Sequence, residues 1–349
     1  MKHYFSIALM FFLTMFLISC AYNQYPYLNS DFTKETWQRE IDRNPSHWAR
    51  GADRWFLTGD PNATEIANKN APDSAAISTM MVRVTDFTKI TANGNFQVQI
   101  FGARDHNSVF VFGPNEDVRE TIVTVNNGQL YLGQSDRAKS SMKRVIIRIG
   151  VKNLTQLVQM GCGTIEGIQL YSHHLTVSSS GSGNVYLAGD VNLTRAAVRG
   201  DGSVSVFGTR SPKLDIITTG KGSFNVSGQV GVQSILHHGK GDINIIGANS
   251  NSLEIYADGS GKIGIGGRVN LQELRANDSV CVFIDCIDSK KTHVFVSNKS
   301  RVGLSGRVRD LYVYTDGSAK FYGRYLCAEN AYVRASDSSH INVMASSKL

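Results

Sequence analysis

The chain has 349 residues, 42% of them hydrophobic and 9% aromatic, with 33 glycines and only 6 prolines. That composition excludes a disordered or collagen-like chain and supplies enough apolar residues for a large core. The formal net charge of +7 falls to +6 once residues 1–20, and with them Lys2, are set aside; it permits anionic partners without implying nucleic acid.

Residues 1–19 read as a lipoprotein signal peptide. Lys2 gives a positive start, and Phe5 to Leu17 is an apolar run too short for a membrane span. The sequence Leu17-Ile18-Ser19-Cys20 that follows resembles the lipobox of bacterial lipoproteins. The resemblance implies that Cys20 carries a covalent lipid and becomes the mature N-terminus, with no other cofactor. Ala21, where retention would want Asp, implies by the same resemblance the cell outer membrane, with the periplasmic face favoured over the cell surface. Attached acyl chains anchor a protein without a spanning helix.

Residues 20–80 differ in kind from the rest. Ala21 to Ser30 is a polar, tyrosine-bearing tether, residues 33–42 suit a short helix, and Asp60 to Ser74 looks like a linker. All three tryptophans, Trp37, Trp48 and Trp55, fall here among Arg39, Arg43, Arg50 and Arg54. The segment is too short for a core of its own. Two readings stand side by side: the tryptophans cap an exposed part of the remaining domain, or they dock a partner, since Trp and Arg dominate interface hot spots.

Residues 81–349 are strand-rich. Val98 and Ile100, Val109 and Val111, Leu130 and Leu132, and Val145, Ile147 and Ile149 alternate with more polar residues. Asn126-Asn127-Gly128 predicts a hairpin turn. From residue 155 one phrase recurs ten times, L-x-V, then five to seven residues, then G-x-V-x-V. Its anchors are Gly163, Gly183, Gly202, Gly222, Gly241, Gly261, Asp278, Ser300, Ala319 and Ser339, with gaps of 20, 19, 20, 19, 20, 17, 22, 19 and 20. Six before each anchor the residue is apolar in every copy but one, Gln272. A period near twenty with local period two predicts an all-β parallel β-helix, or β-solenoid, of about ten turns with two strands per turn. Stacked about 4.8 Å apart, ten turns make a rod roughly 45 Å long. The paired glycines, as in Gly181-Ser182-Gly183, suit corners that need positive φ. They do not fit a phosphate loop, which wants a different spacing before a helix.

Val84-Thr-Asp-Phe87, Gly94-Asn-Phe96-Gln-Val98-Gln-Ile100, Gly128-Gln-Leu130-Tyr-Leu132, Leu154-Thr-Gln-Leu157 and Gly161-Cys-Gly163 together resemble the head GIN domain of autotransporter adhesins, over about residues 82–349. The resemblance implies a right-handed β-helix-like fold and surface association, and it carries no catalytic motif.

Chemistry is sparse. Asp258 and Asp316 share a phase but stand three turns apart, about 14 Å on the strand spacing, too far for a glycosidase pair, which wants roughly 5–10 Å. His173-His174 and His237-His238 fall at different phases, so no shared metal is expected. Cys286 and Cys327 sit on one file two turns apart, about 9–10 Å, beyond disulfide reach of about 7 Å; a Cys281–Cys286 pair stays open, and Cys162 is unassigned. Lys221, Lys240, Lys262, Lys299, Arg301 and Lys320 flank the anchors and form a basic edge able to attract an anionic glycan or glycolipid, or else a solvated corner. That edge lacks the aromatics nucleic acid would want.

The sequence therefore predicts a non-enzymatic lipoprotein of the outer membrane, a scaffold for contacts with envelope proteins and in one version an accessory subunit of a secretion-system core complex. Alternatives are a surface adhesin binding glycan or host protein, and a polysaccharide-cleaving β-helix enzyme.

Overall fold

The computed structural model describes residues 77–103, 105–135 and 145–348, together with the backbone of 49–50 and 55–56. Residues 1–19, expected to be a signal peptide, and Cys20, Trp37 and Trp48 lie outside the described residues. Trp55 falls in β2 (Trp55–Phe56), which pairs antiparallel with β1 (Ala49–Arg50).

Seven strands and one short helix open the main sheet: β3 (Ile77–Val82), β4 (Lys89–Asn93), β5 (Gln97–Gly102), β6 (Ser108–Pro114), α1 (Asn115–Arg119), β7 (Thr121–Asn126), β8 (Gln129–Gln134) and β9 (Ile146–Val151). The chain then runs through β10 (Gln156–Gln159), β11 (Ile165–Ser179), β12 (Val185–Val198), β13 (Val204–Thr218), β14 (Phe224–Gly239) and β15 (Ile243–Gly259). It ends with β16 (Lys262–Ala276), β17 (Cys281–Val296), β18 (Arg301–Thr315), β19 (Lys320–Ala335) and β20 (His340–Lys348). From β10 onward each strand pairs in parallel with the next, which makes a parallel β-solenoid of about ten turns. Val185, Val204, Phe224 and Ile243 are register partners in succession, and all four are fully buried. The alternation of apolar residues thus builds one continuous core down the axis.

Each turn has three sides, not two. Pairing between β11 and β12 breaks after Gly167 and again after Ser172, leaving a separate segment at Leu170–Ser172. The sequence hid this side because its inward residues include buried serines. Ser211, Ser250 and Ser289, spaced 39 residues apart, accept the backbone N–H of Leu193, Val232 and Leu271 at 2.9, 2.8 and 2.9 Å.

The register also corrects the anchors. Lys262 pairs with Cys281 and Ile263 with Val282, so the residue that follows Gly261 in its file is Val280, not Asp278. With Val280 in place the gaps read 20, 19, 20, 19 without a break to the C-terminus. The residue six before it is Leu274, fully buried, whereas Gln272 is exposed. The same correction separates the cysteines: Cys327 pairs with Arg307, itself opposite Asp288, so it does not share a file with Cys286. Cys162, Cys281, Cys286 and Cys327 are all free.

The alternation of 20 and 19 has a physical source. Each long turn carries one extra residue, a β-bulge: Gly167 pairs with Leu187 but Leu170 with Gly189. Positive φ marks these bulges at Gln169, Gly208, Gly247 and Cys286 (50°, 72°, 79° and 61°), each 39 residues from the last. The anchor glycines themselves have another cause. None from Gly163 to Gly261 has positive φ. A Cβ on Gly183 would instead lie 1.9 Å from the carbonyl oxygen of Gly163, and one on Gly202 1.9 Å from that of Gly183. Successive corners nest too closely for any side chain. In the later turns Asp278, Asn298, Gly317 and Asp337 take positive φ two residues before the anchor, and there Val280, Ser300 and Ala319 bury their side chains.

The N-terminal end is closed by a fold-back. β4 and β5 form a turn, yet β8 and β9, later in sequence, stack on its outer side while β10 and β11 take the inner side. Antiparallel strands then end both sheets: β7 on β8, and β6 followed by β3 on β9. The Asn127-Gly128 hairpin has positive φ at both residues, as its sequence predicts.

Two measurements test this account. Cys286→Gly should stabilise the chain by about 1 kcal/mol, the scale of the left-handed penalty, and Gly208→Ala should cost a similar amount; denaturant midpoints read both. His237 is fully buried, with Nδ1 2.6 Å from Thr218 Oγ1. Burial holds its imidazole below the usual range. The unfolded chain therefore takes up a proton that the folded chain resists, so stability should hold above about pH 6.5, the ordinary histidine value, and fall as pH drops below it. His237→Ala, which copies Ala257 on the next rung, should flatten that limb of the profile.

Candidate binding face of the C-terminal turns

Outward positions of the third side acquire their neighbours from the rung above and the rung below. On the last turns two files run side by side. One is Glu254, Glu273, His293, Tyr312 and Tyr332; the other is Tyr256, Arg275, Phe295, Tyr314 and Arg334. The rings of His293 and Tyr312 stack with centroids 4.8 Å apart and planes 13° apart, and Tyr312 and Tyr332 at 4.7 Å and 11°. These separations equal the strand spacing, so the rings face one another along the rod and turn their edges outward. Cations also approach these rings: Arg275 lies 4.5 Å from the Phe295 ring centre, Lys291 5.0 Å from Tyr312 and Arg334 5.8 Å from Tyr314. Glu273 accepts a hydrogen bond from Arg275 and, with Glu254, sits beside Tyr256; desolvation first and these carboxylates second push the Tyr256 phenol up.

Beside this face, at the corner between the second and third sides, lies a groove of about 640 Å³. Arg268, Lys290, Arg307 and Arg309 line it, with Asp288 and Glu329. Arg268 pairs with Asp288 at 2.5 Å and Arg309 with Asp310 at 2.9 Å. The Asn330 amide, 2.9 Å from Asp310, and the Arg309 guanidinium hold the Asp310 carboxyl below the usual range, so it stays charged. Arg307 and Lys290 form no ion pair among the described residues. Residues 260–349 hold 13 Lys and Arg against 8 Asp and Glu, which places +5 of the chain's +7 in its last turns.

The six basic residues expected on one edge fall on two files of the anchor corner, which borders the third side opposite the groove. Lys262, Arg301 and Lys320 follow one file, interrupted by Cys281. Lys221, Lys240 and Lys299 precede their anchors on the neighbouring file. All six are exposed, and none pairs with a carboxylate among the described residues. Of the two histidine pairs, His173 and His174 are both exposed, whereas His237 is inward and His238 is outward and bonded to Asp258 at 2.6 Å. Among the described residues no group of three His, Cys, Asp or Glu is placed to hold a metal. Nor is any described helix long and apolar enough to cross a membrane.

Sequence reasoning missed the aromatic ladder. Its signal was present in Phe295, Tyr312-Val313-Tyr314 and Tyr332-Val333, outward residues flanking an inward valine. The misplaced anchor at Asp278 kept these positions out of line with Glu273 and Arg275.

Residues 86–228 match the family described as "Putative auto-transporter adhesin, head GIN domain". The resemblance read from the sequence is thus met over β4 to the first residues of β14, and the class of protein that the fold defines is a parallel β-solenoid. The turns that carry the groove and ladder lie beyond the matched stretch. Solved structures that align with the chain include a putative adhesin from Parabacteroides merdae ATCC 43184, at 13% identity and TM-score 0.45 over 77% of this chain and 97% of that one. A putative lipid binding protein from Parabacteroides distasonis ATCC 8503 aligns at 15% and 0.38, over 77% and 98%. A putative adhesin from Bacteroides fragilis NCTC 9343 aligns at 16% and 0.35, over 77% and 98%. No curated protein matches the chain.

The central ring of the ladder should matter to stability. Tyr312→Ala removes both stacking contacts and should cost about 1 kcal/mol, the scale of aromatic pairs. An unchanged urea midpoint would show that the ladder is ornamental.

Proposed function

We propose that the chain is a non-enzymatic, adhesin-like binding protein of the bacterial envelope. Its solenoid is a rigid support, and its binding surface is the groove and ladder of β16 to β19. The observation that carries this reading is the concentration of Arg307, Lys290 and the stacked rings on neighbouring rungs of one rigid sheet. Arg and Tyr are enriched at interface hot spots, and rings held by stacking lose little entropy on binding. The head GIN match supports the same class of role. A catalytic reading finds no support in the acidic residues: Asp258 is engaged by His238, and Asp316 lies three rungs away.

The lipobox-like Leu17-Ile18-Ser19-Cys20 supports attachment of this rod to the outer membrane through lipid on Cys20. The Trp37, Trp48 and Trp55 segment then lies between anchor and solenoid, as a cap or as a second contact with neighbouring envelope proteins. The narrower version, an accessory subunit in a secretion-system core, draws nothing from the groove or ladder. Adhesion therefore leads, and it needs the C-terminal turns to face outside the cell.

Attachment of cells to biotic or abiotic surfaces tests the proposal. Deleting the gene should lower attachment several-fold, and the full chain should restore it. Cys20→Ser should release the protein from the membrane fraction and fail to restore it. Protease treatment of intact cells should cleave the wild-type chain. Attachment that ignores the gene, or a chain fully protected in intact cells, would overturn the reading.

A further inference from the structure

We propose that the third side of β17 to β19 takes one strand of an anionic polysaccharide, carboxylated or sulfated, lying across the rod. The inference rests on the adhesin-like reading and names the chemistry of its ligand.

The first argument is the arrangement of charge. The third side is bordered by a cationic edge on each flank: Arg307, Arg309 and Lys290 at the groove, and Lys299, Arg301 and Lys320 at the anchor corner. Between them the strand Thr292–Val296 and its neighbours span roughly 16 Å at 3.3 Å per residue. A ligand that crosses the face meets a cation, then aromatic edges, then a cation. Arg307, Lys290, Lys299, Arg301 and Lys320 form no ion pair with a described carboxylate, so an incoming anion displaces no partner. Arginine forks match carboxylate and sulfate-like oxygens with two parallel bonds.

The second argument is the orientation of the rings. His293, Tyr312 and Tyr332 spend their faces on one another, and Phe295 and Tyr314 carry Arg275 and Arg334 over theirs. Nucleic-acid bases need a platform of open ring faces on which to stack; here Tyr312 is covered on both sides and only the end rings of the stack keep an outer face. A protein hot spot wants its anchor side chain seated in a well-packed, desolvated pocket; this groove is lined mainly by charged residues. What the face does offer is a row of ring edges, phenol hydroxyls and an imidazole, flanked by guanidinium groups. Sugar hydroxyls and ring C–H groups suit that row, and acidic substituents suit its flanks.

The experiment uses the full chain, with isothermal titration against alginate, dextran sulfate, neutral dextran and poly-glutamate at low and physiological salt. Binding is expected to alginate, to dextran sulfate or to both, weakening as salt rises; neutral dextran should not bind. Three double variants, Arg307→Ala with Arg309→Ala, Arg301→Ala with Lys320→Ala, and Tyr314→Ala with Tyr332→Ala, should each lower affinity about tenfold, a hot-spot scale effect. Lys213→Ala, exposed on an earlier turn, should leave it unchanged. Thermal melts check folding, and Arg307→Glu, a single exposed change, replaces any double variant that fails to fold.

The proposal is overturned if neither acidic polysaccharide binds, if poly-glutamate binds as well as they do, or if the variants bind like the parent. The same variants in the attachment assay separate the two levels. Loss of attachment without polysaccharide binding sinks the ligand class and leaves the adhesin-like reading standing. Attachment independent of the whole chain sinks both.

Discussion

Close nesting of one corner on the next is the constraint on which this molecule depends. Between Gly161 and Gly261 the backbone of each turn sits so near the carbonyl of the turn before that hydrogen is the only substituent admitted. Backbone bonds such as Gly202 N–H to Gly181 O at 3.2 Å and Gly222 N–H to Gly200 O at 3.0 Å run through the same corners. Nesting fixes the height of each rung, and the height fixes the register of all three sides. A slip of one residue would turn every inward side chain toward solvent. The core, with Val185, Val204, Phe224 and Ile243 in line, follows from that lock.

The two ends of the rod solve the same problem differently. Parallel strands leave unpaired backbone at each end of a stack, a template for unwanted pairing. At the N-terminal end the chain turns back, lays β8 and β9 over its own first turn, and finishes both sheets with antiparallel strands. Toward the C-terminus the core thins: Val333 is 43% exposed, and Ile341 and Val343 are only half-buried. The corners also change there, from nested glycine pairs to turns led by Asp278, Asn298, Gly317 and Asp337. Those turns bury larger anchors such as Val280.

Rigidity of this kind shapes function more than any single residue does. A ladder that holds neighbours at the rung spacing can stack His293, Tyr312 and Tyr332 without further packing around them. It also lines up cations at two corners and keeps aromatic edges between them. No hinge or mobile loop is needed to assemble that surface, so binding there costs little ordering entropy. The surface lies outside the stretch that matches the head GIN family, in turns whose corners depart from the glycine pattern.

The sequence by itself determined the number of turns, the period and the inward residues. Burial demands an apolar or small side chain at each inward position, and that demand repeats visibly at 19 or 20 residues. It also showed the Asn127-Gly128 hairpin, because few residues tolerate its backbone. It misread Asp278 as an anchor, which left Gln272 as the one break in an apolar file, since a corner can satisfy positive φ with Asp and an anchor can be as large as Val280. It missed the bulges at Gln169 and Cys286, which carry no glycine to announce them. Only the tertiary structure decided which outward residues meet. Arg275, Phe295 and Tyr314 become neighbours through hydrogen bonds between rungs, and those bonds depend on single-residue bulges that leave no periodic mark on solvent-facing positions.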